Sequence, residues 1–295
     1  MSIFIDQHTK VLVQGITGSE GSFWTKHMIE LGTKVQCGVT PGKEGQKVEG
    51  IPVYHTVKKA VSMHEIDASM LFVPPKLTKD AVMEALHAGI KKIVTIADGI
   101  PLHDMILIRQ AAKEYNAMVI GGNTSGVISP ERAMMGSFPY WIDRVYKKGN
   151  IGVMTRSGSL TNEVTAMIVQ AGYGVSTLIG VGGDPVPGTR FAELLPFYEL
   201  DPETKAVVII GELGGTMGEE VALAIKNRNF TKPLVAFLGG RTAPKGQKMG
   251  HAGAIITGGK GSVEDKIIAL SEVGACIAER PSMVGKLLEK LSVPK

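Results

Sequence analysis

The sequence predicts an α/β protein with two parallel-sheet domains, for three reasons. Short Val- and Ile-rich runs alternate with helical segments twice along the 295 residues, the pattern of a doubly wound sheet. That alternation fades between 128 and 149, and 44% hydrophobic content supports two cores of ordinary size. We predict a Rossmann-like domain at 1–127, a linker at 128–149 and a flavodoxin-like domain at 150–295.

Composition and charge exclude several classes of protein. The 32 Lys and Arg residues against 28 Asp and Glu give a charge of only +4, without the basic cluster that nucleic-acid binding needs. No run of about eighteen apolar residues suggests a membrane span, so we expect a cytoplasmic protein without membrane or nucleic-acid partners. Cys37 and Cys276 are far apart in apolar contexts, which favours buried free thiols.

The first strand (10–14) ends in a glycine-rich turn, after which a helix at 22–31 is predicted. Glycines three apart allow backbone amides and a helix N-terminus to face a phosphate. A turn of this kind also occurs without a ligand, because short motifs match by chance. The interpretation as a cofactor site rests on Thr17, Gly18, Ser19, Glu20 and Gly21.

The end of the second strand distinguishes between cofactors. A nicotinamide dinucleotide calls for an acidic residue about 20 positions past the glycines, at the end of this strand. Here the strand at 34–39 is followed by Lys43, and Glu44 is the first acid. A cation favours a phosphorylated ribose, as in NADP or coenzyme A. A hydride-transfer enzyme remains an alternative.

The rest of the first domain continues the alternation. Strands are predicted at 68–73, 92–96 and 117–120, with helices at 79–88 and 102–115. Ligands of such sheets lie at the carboxyl ends of the strands. We therefore expect five strand-end loops to share one crevice: 15–21, 40–43, 74–76, 98–101 and 123–126.

The second domain repeats the pattern and carries three glycine-rich strand ends. Its predicted strands are 151–154, 176–181, 206–210, 234–238 and 275–278, and its predicted helices are 160–171, 191–199, 262–271 and 283–291. Ser157, Gly158 and Ser159 begin a helix and form a candidate phosphate seat together with Gly183, although serines there can also serve only as helix caps. Glu212, at a strand end, can hold an imidazole tautomer or be a solvated loop acid.

His251 is the candidate catalytic residue, because glycines on both sides leave its ring open to approach. An imidazole with a pKa of about 6.5 is a competent nucleophile near neutral pH. We interpret His251 as a phosphoryl carrier; the alternative is a solvated turn residue.

Other chemistries lack their signatures. The string at 155–159 lacks the first glycine of a nucleophile elbow, and the seven histidines are too scattered for a metal site. No Gly-x-x-x-x-Gly-Lys-Ser/Thr loop is present. The phosphoryl donor is therefore expected to bind another chain.

The chain resembles the α-type subunit of succinyl-CoA synthetase and its relatives over essentially its whole length. The matching strings are Gln14 to Gly18, Gly38 to Lys43, Gly182 to Pro185, Gly211 to Gly215, Ala243 to Gly246 and Met249 to Ala254. The resemblance implies an acid–CoA ligase in which His251 is transiently phosphorylated, Glu212 supports it, and Ser157 to Ser159 receive the phosphate.

The resemblance also implies the ligands and the partner. Coenzyme A would contact Thr17, Ser19, Lys43, Val73, Pro74 and Asn123 in the first domain. A β-type ATP-grasp subunit would bind ATP or GTP with Mg²⁺. The reaction would convert a small carboxylic acid, CoA and nucleotide into acyl-CoA, nucleoside diphosphate and phosphate, through an acyl phosphate.

Departures from the family pattern bear on the acid. Asn162-Glu163, Gly214 to Thr216 and Thr231 to Pro233 are more similar to ATP-citrate lyase and citryl-CoA synthetase. We therefore favour citrate over succinate, with malate third. A non-catalytic CoA-binding regulator is the alternative of a different class, but it would lack His251 or Glu212.

Overall fold

The structure is a computed structural model that describes residues 3–241, 251–254 and 261–295. The chain forms two compact units. The first comprises Phe4–Phe138 and Val186–Thr189; the second comprises Met1–Ile3, Pro139–Pro185 and Arg190–Lys295. The break after Phe138 lies within the stretch predicted as a linker. Segment 186–189 folds with the first unit, a feature that the sequence did not indicate.

The first unit consists of short strands and four helices. Its strands are β1 (Lys10–Gln14), β2 (Lys34–Val39), β3 (Lys47–Val48), β4 (Ile51–Tyr54), β5 (Ala68–Leu71), β6 (Lys92–Thr95), β7 (Met118–Ile120), β8 (Gly126–Ser129) and β9 (Ala133–Gly136). Its helices are α1 (Ser19–Leu31), α2 (Val57–Met63), α3 (Thr78–His87) and α4 (Leu102–Glu114). Helix α1 ends at Gly32, whose φ of 113° lets its N–H bond the carbonyl of Ile29.

The sheet of the first unit has the order β3-β4-β2-β1-β5-β6-β7. All pairs are parallel except β3 with β4. Numbering only the parallel strands gives 3-2-1-4-5-6, the Rossmann order, which confirms the predicted fold class. The strand order reverses between β1 and β5, where ligands of such sheets bind.

Two hairpins in the first unit were not predicted. The β3–β4 hairpin turns at Glu49 and Gly50, whose φ values of 50° and 80° suit a two-residue turn. It was missed because its strands are only two and four residues long and β4 contains Pro52, which weakens a strand signal. The second hairpin pairs β8 with β9 inside the predicted linker, and every residue of both strands is buried.

The second unit is an open parallel sheet with helices. Its strands are β10 (Lys148–Thr155), β11 (Val175–Gly180), β12 (Ala206–Glu212), β13 (Leu234–Gly239) and β14 (Cys276–Ala278). Its helices are α5 (Gly158–Gln170), α6 (Phe191–Leu200), α7 (Met217–Lys226), α8 (Val263–Glu272) and α9 (Val284–Lys290). Within the second unit, the sequence analysis missed helix α7, since the preceding glycines suggested only a loop.

These five strands have the order β14-β13-β12-β10-β11, all parallel. In domain order this is 2-1-3-4-5, the flavodoxin-like arrangement that the sequence predicts. Central strand β12 is buried along its whole length, as expected for a strand covered on both faces. Its last residue is Glu212, which places that carboxylate at the carboxyl edge of the sheet.

The two cysteines differ in environment. Cys37 is fully buried in the first core, and burial raises the pKa of its thiol to about 12. Cys276 is only partly buried, so the expectation of two buried thiols holds for Cys37 alone. In the described part of the chain, no helix is long and apolar enough to cross a membrane.

Candidate active site

The first unit contains a cavity of about 580 Å³ at the point where its strand order reverses. The cavity is lined by the loops after β1, β2 and β5, with one face of α3. Of the predicted cofactor residues, four line it: Thr17, Gly18, Val73 and Pro74. The lining residues that the sequence analysis missed include those of α3 and the turn before it: Leu77, Asp80, Ala81 and Glu84.

Close backbone packing shapes this cavity. Gly15 has a φ of 80°, and a Cβ there would lie 2.2 Å from the carbonyl oxygen of Phe72. The Gly15 N–H donates to Val39 O at 2.8 Å, and the Thr17 and Thr40 hydroxyls are 3.1 Å apart. The three loops are thereby held together beside the N-terminus of α1. An amide-rich turn beside apolar Val39 and Phe72 fits a ligand with phosphates and a less polar arm, as CoA has.

Five predicted cofactor residues do not line the cavity: Ser19, Glu20, Gly21, Lys43 and Asn123. Glu20 accepts a hydrogen bond from the Trp24 indole at 2.9 Å. Gly21 is a packing residue, since a Cβ there would lie 2.2 Å from Gly15 O. Asn123 bonds Ala97 O through its backbone N–H. Because the loops 98–101 and 123–126 follow more distant strands, the cavity is formed by three of the five predicted loops.

The second unit contains a cavity of about 320 Å³ at the carboxyl edge of its sheet. Ser157, Ser159, Glu212 and His251 all line it, together with Gly239 and Gly240 at the end of β13. The strand order explains this convergence, because β10, β12 and β13 are adjacent. The structure thus brings together four residues that the sequence analysis selected from three separate loops.

A hydrogen bond of 2.8 Å joins Nδ1 of His251 to Oε2 of Glu212. The two side chains are 27% and 10% exposed, so the carboxylate is buried and the imidazole is partly open. This bond raises the pKa of His251 above its usual value, although partial burial acts in the opposite direction. With Nδ1 held by the carboxylate, Nε2 is the nitrogen left for a nucleophilic attack.

The residues predicted to bind phosphate lie at the N-terminus of helix α5. It begins at Gly158, and Ser157 caps it by accepting a hydrogen bond from Leu160 N. The capping role considered from the sequence is therefore confirmed for Ser157. The first amides of a helix have no intrahelical partner, and Ser157 and Ser159 line the same cavity as His251.

Gly183 does not line the cavity, but its lack of a side chain leaves room for the ring of His251. A Cβ at this position would lie 2.4 Å from Cγ of His251. The glycine therefore lets the turn after β11 contact the imidazole ring. The loop strings at 243–246 and 249–250, which contributed to the predicted site, lie outside the described residues.

The residues that favoured citrate make structural contacts. The Thr231 hydroxyl bonds Glu199, and the Lys232 ammonium donates to the carbonyls of Tyr198 and Asp201 at the end of α6. The other two positions are similarly engaged: Tyr146 donates to Asn162, and Thr216 bonds both Arg190 and Glu220. These hydrogen bonds connect neighbouring secondary-structure elements, so they do not argue for a particular acid substrate.

We expect the imidazole of His251 to titrate above the usual value of about 6.5. The hydrogen bond with Glu212 stabilises the protonated ring, so the pKa of His251 should fall in a Glu212→Gln variant. Histidine ¹⁵N NMR across pH 5–9 measures this, with His251→Asn assigning the resonance. Glu199→Gln, which removes a carboxylate bonded to Thr231, is the control and should leave the titration unchanged.

Equal pKa values for His251 in wild type and Glu212→Gln would contradict the orienting role of the carboxylate. Because only the neutral ring is a nucleophile, the raised pKa also means that reactivity should increase with pH through that value.

Two family models match the chain. The model described as CoA binding domain matches residues 6–99, and the model described as CoA-ligase matches residues 154–276. These ranges contain, respectively, the glycine turn beside the first cavity and the Ser157, Glu212 and His251 positions of the second.

Several proteins are similar over nearly the full length. The chain is 80% identical over 295 residues to the ADP-forming sulfoacetate-CoA ligase subunit SqwL of an Acholeplasma species, with 100% of both chains covered. It is 69% identical to the corresponding subunit SauD of Bilophila wadsworthia over 99% of both. It is 49% identical to succinate–CoA ligase [ADP-forming] subunit alpha 1 of Archaeoglobus fulgidus, covering 95% and 94%.

Among solved structures, an ATP citrate lyase from Methanosaeta concilii in complex with (3S)-citryl-CoA is similar in fold. Its TM-score is 0.89 at 25% sequence identity, over 97% of this chain and 50% of the other. The chain therefore spans about half the length of that protein.

Proposed function

The chain belongs to the family of ADP-forming acid–CoA ligases, as an α-type subunit, and on that premise we propose that its acid substrate is sulfoacetate. The observation that carries this proposal is the 80% identity, over the whole chain, to a sulfoacetate-CoA ligase subunit. A second subunit of that name is 69% identical, whereas the succinate relative is 49% identical. Citrate, which the sequence analysis favoured, finds no support among these relatives.

The proposed reaction starts with phosphorylation of His251. Nε2 of the neutral ring attacks the γ-phosphorus of ATP, the bond from phosphorus to ADP breaks, and a phosphohistidine forms. The substrate carboxylate then attacks that phosphorus, so the P–N bond breaks and an acyl phosphate forms. The CoA thiol attacks the acyl carbon, phosphate leaves, and the thiol proton passes to solvent.

The described residues have separate tasks in this scheme. Glu212 holds Nδ1 of His251 and stabilises the positive charge on the ring as the P–N bond forms. Ser157, Ser159 and the first amides of α5 hold the phosphoryl oxygens, aided by the positive end of the helix. Coenzyme A occupies the first unit's cavity, along Thr17, Gly18 and Val73. ATP with Mg²⁺ is held by a β-type ATP-grasp subunit.

Sulfoacetate and succinate pose different recognition problems. Both carry a carboxylate for phosphorylation and a second anionic group. In sulfoacetate that group is a tetrahedral sulfonate one methylene from the carboxyl carbon, whereas in succinate it is a planar carboxylate two methylenes away. A site built to bond one group leaves its polar atoms unpaired with the other, which permits strong discrimination.

The acid can be identified by discharge of the phosphoenzyme. The chain is purified with its β-type subunit, labelled with γ-³²P-ATP, freed of nucleotide and mixed with CoA plus sulfoacetate, succinate, citrate or malate. We expect sulfoacetate to discharge the label at least about tenfold faster than each other acid, since matched polar contacts favour it. Acid without CoA is the control that separates acyl phosphate formation from thioester formation.

Faster discharge by succinate would assign the protein to the succinate–CoA ligases and overturn the proposed acid while leaving the phosphohistidine intact. Faster discharge by citrate would restore the acid that the sequence favoured. Absence of any label on the wild-type complex would contradict the phosphohistidine itself.

A further inference from the structure

We infer that Arg156 is a positioning residue for phosphoryl transfer: its buried guanidinium holds Glu212 and the turn at 182–184 in the arrangement that orients His251. This inference rests on the proposed phosphohistidine. Arg156 lies between the last residue of β10 and the cap of α5, directly before the predicted phosphate-binding residues Ser157, Gly158 and Ser159. It is only 5% exposed, which is unusual for an arginine.

The guanidinium makes contacts on two sides. Its Nε lies 3.5 Å from Oε1 of Glu212 and 3.4 Å from the carbonyl oxygen of Gly182. Its Nη2 donates to the carbonyls of Gly183 and Asp184, at 3.2 Å and 3.3 Å. Arg156 thus connects the strand that ends in Glu212 with the turn that touches the imidazole.

The carboxylate of Glu212 depends on this cation. One oxygen, Oε2, bonds His251; the other, Oε1, is buried and makes no hydrogen bond of good geometry, so the ion pair with Arg156 is its compensating contact. A buried carboxylate without a counter-charge is costly. Arg156 therefore contacts Glu212, and Glu212 in turn contacts the imidazole of His251, so the three side chains form one connected series.

The same guanidinium supports the two turns on either side of the ring. Gly253 N–H donates to the Gly183 carbonyl, which also accepts from Arg156. A Cβ on Gly253 would lie 2.5 Å from Nη2 of Arg156, and a Cβ on Gly183 would lie 2.4 Å from His251. Glycine is therefore required at 183 and 253 because a side chain at either position would occupy the space of the imidazole or the guanidinium.

Arg156 acts through its neighbours and does not touch the transferred phosphate. It does not line the cavity that contains His251, Ser157 and Ser159. Its charge does act on the ring: among the described residues, the charged groups that influence His251 are Glu212 from β12, Asp184 from the turn after β11 and Arg156 after β10. Of these, Arg156 lowers the pKa of His251 and the two acids raise it.

The test uses the complex of this chain with its β-type subunit and measures phosphohistidine formation from γ-³²P-ATP as a function of pH. Arg156→Met should reduce the labelling rate at pH 7 by about 10- to 100-fold. This is the size of effect found when a partner that orients a functional side chain is removed. Its rate–pH midpoint should also move to higher pH, because the cation beside the ring is gone. Arg156→Lys should lower the rate yet keep the midpoint, since it retains the charge without the branched donor set.

Arg109 offers a matched control. Its guanidinium also donates to two backbone carbonyls, those of Pro187 and Gly188, but in the first unit. Arg109→Met should leave the rate and midpoint of His251 labelling unchanged. A wild-type rate and midpoint in Arg156→Met would overturn the inference. If that variant does not fold, Arg156→Lys decides: a wild-type rate there overturns it.

Failure of the proposed function gives a different result. In that case the wild-type protein carries no label on His251. If instead the role of Arg156 is wrong, the wild-type protein is labelled and the Arg156 variants are labelled at the same rate. Histidine NMR of the same variants adds a readout without ATP, in which Arg156→Met and Glu212→Gln should shift the titration of His251 in opposite directions.

Discussion

Replacing His251 with Asn should abolish phosphorylation of the chain. The asparagine amide can still bond Glu212, so the surroundings remain satisfied, but it has no nucleophilic nitrogen. We expect the labelling rate to fall on the order of 10⁴-fold or more, because loss of the nucleophile removes the covalent route. The measurement is acid-labile, base-stable ³²P on the chain after incubation of the complex with labelled ATP.

His103→Asn is the appropriate control. His103 is exposed on α4 in the first unit, far in sequence from the proposed site, and its variant should label like wild type. Label that persists in His251→Asn, or that is lost equally in His103→Asn, would contradict the assignment of His251 as the phosphoryl carrier. Since the proposed acid and the role of Arg156 both depend on the phosphohistidine, this experiment comes first.

Replacing Gly15 with Ala should both destabilise the first unit and weaken CoA binding. The alanine must adopt a φ near 80° and would place its Cβ 2.2 Å from the carbonyl oxygen of Phe72. Backbone strain and the forced separation of β1 from β5 together should cost about 2–5 kcal/mol. Because this turn lines the cavity, affinity for CoA should fall at least about tenfold, equivalent to about 1.4 kcal/mol.

The chain contains a matched control for this substitution. Gly99 has a φ of 78°, but a Cβ there would meet nothing within 4 Å. Gly99→Ala should therefore show only the conformational cost of about 1–2 kcal/mol and bind CoA normally. Comparable losses in the two variants would mean that backbone conformation alone, and not the close approach to Phe72, accounts for the effect.

Stability and binding need separate measurements in this comparison. In a Trp141→Phe background Trp24 is the remaining tryptophan, so urea unfolding followed by its fluorescence reports on the first unit. Trp141 is 51% exposed, which makes its replacement mild. Isothermal titration with CoA then measures affinity at urea-free conditions where both variants are folded.

Much of the architecture was predictable because its signals are local. Strand and helix periodicity indicated two parallel sheets, and the structure confirms two mostly parallel sheets. The exceptions are elements with weak local patterns, such as the short β3–β4 hairpin and helix α7 after a glycine turn. The prediction of citrate as the acid is not supported, for a related reason. The residues that suggested it, including Thr231 and Lys232, make structural hydrogen bonds to helix α6.

The residues with the relevant chemistry could be identified from the sequence: a histidine between glycines, an acid at a strand end and serines at a helix start. Those properties belong to single residues and their immediate neighbours, so they are readable without a fold. Which of these residues lie close together depends on the three-dimensional fold. It limited the first cavity to three loops and placed Arg156 behind Glu212, because such contacts depend on which strands are adjacent and how closely their ends approach.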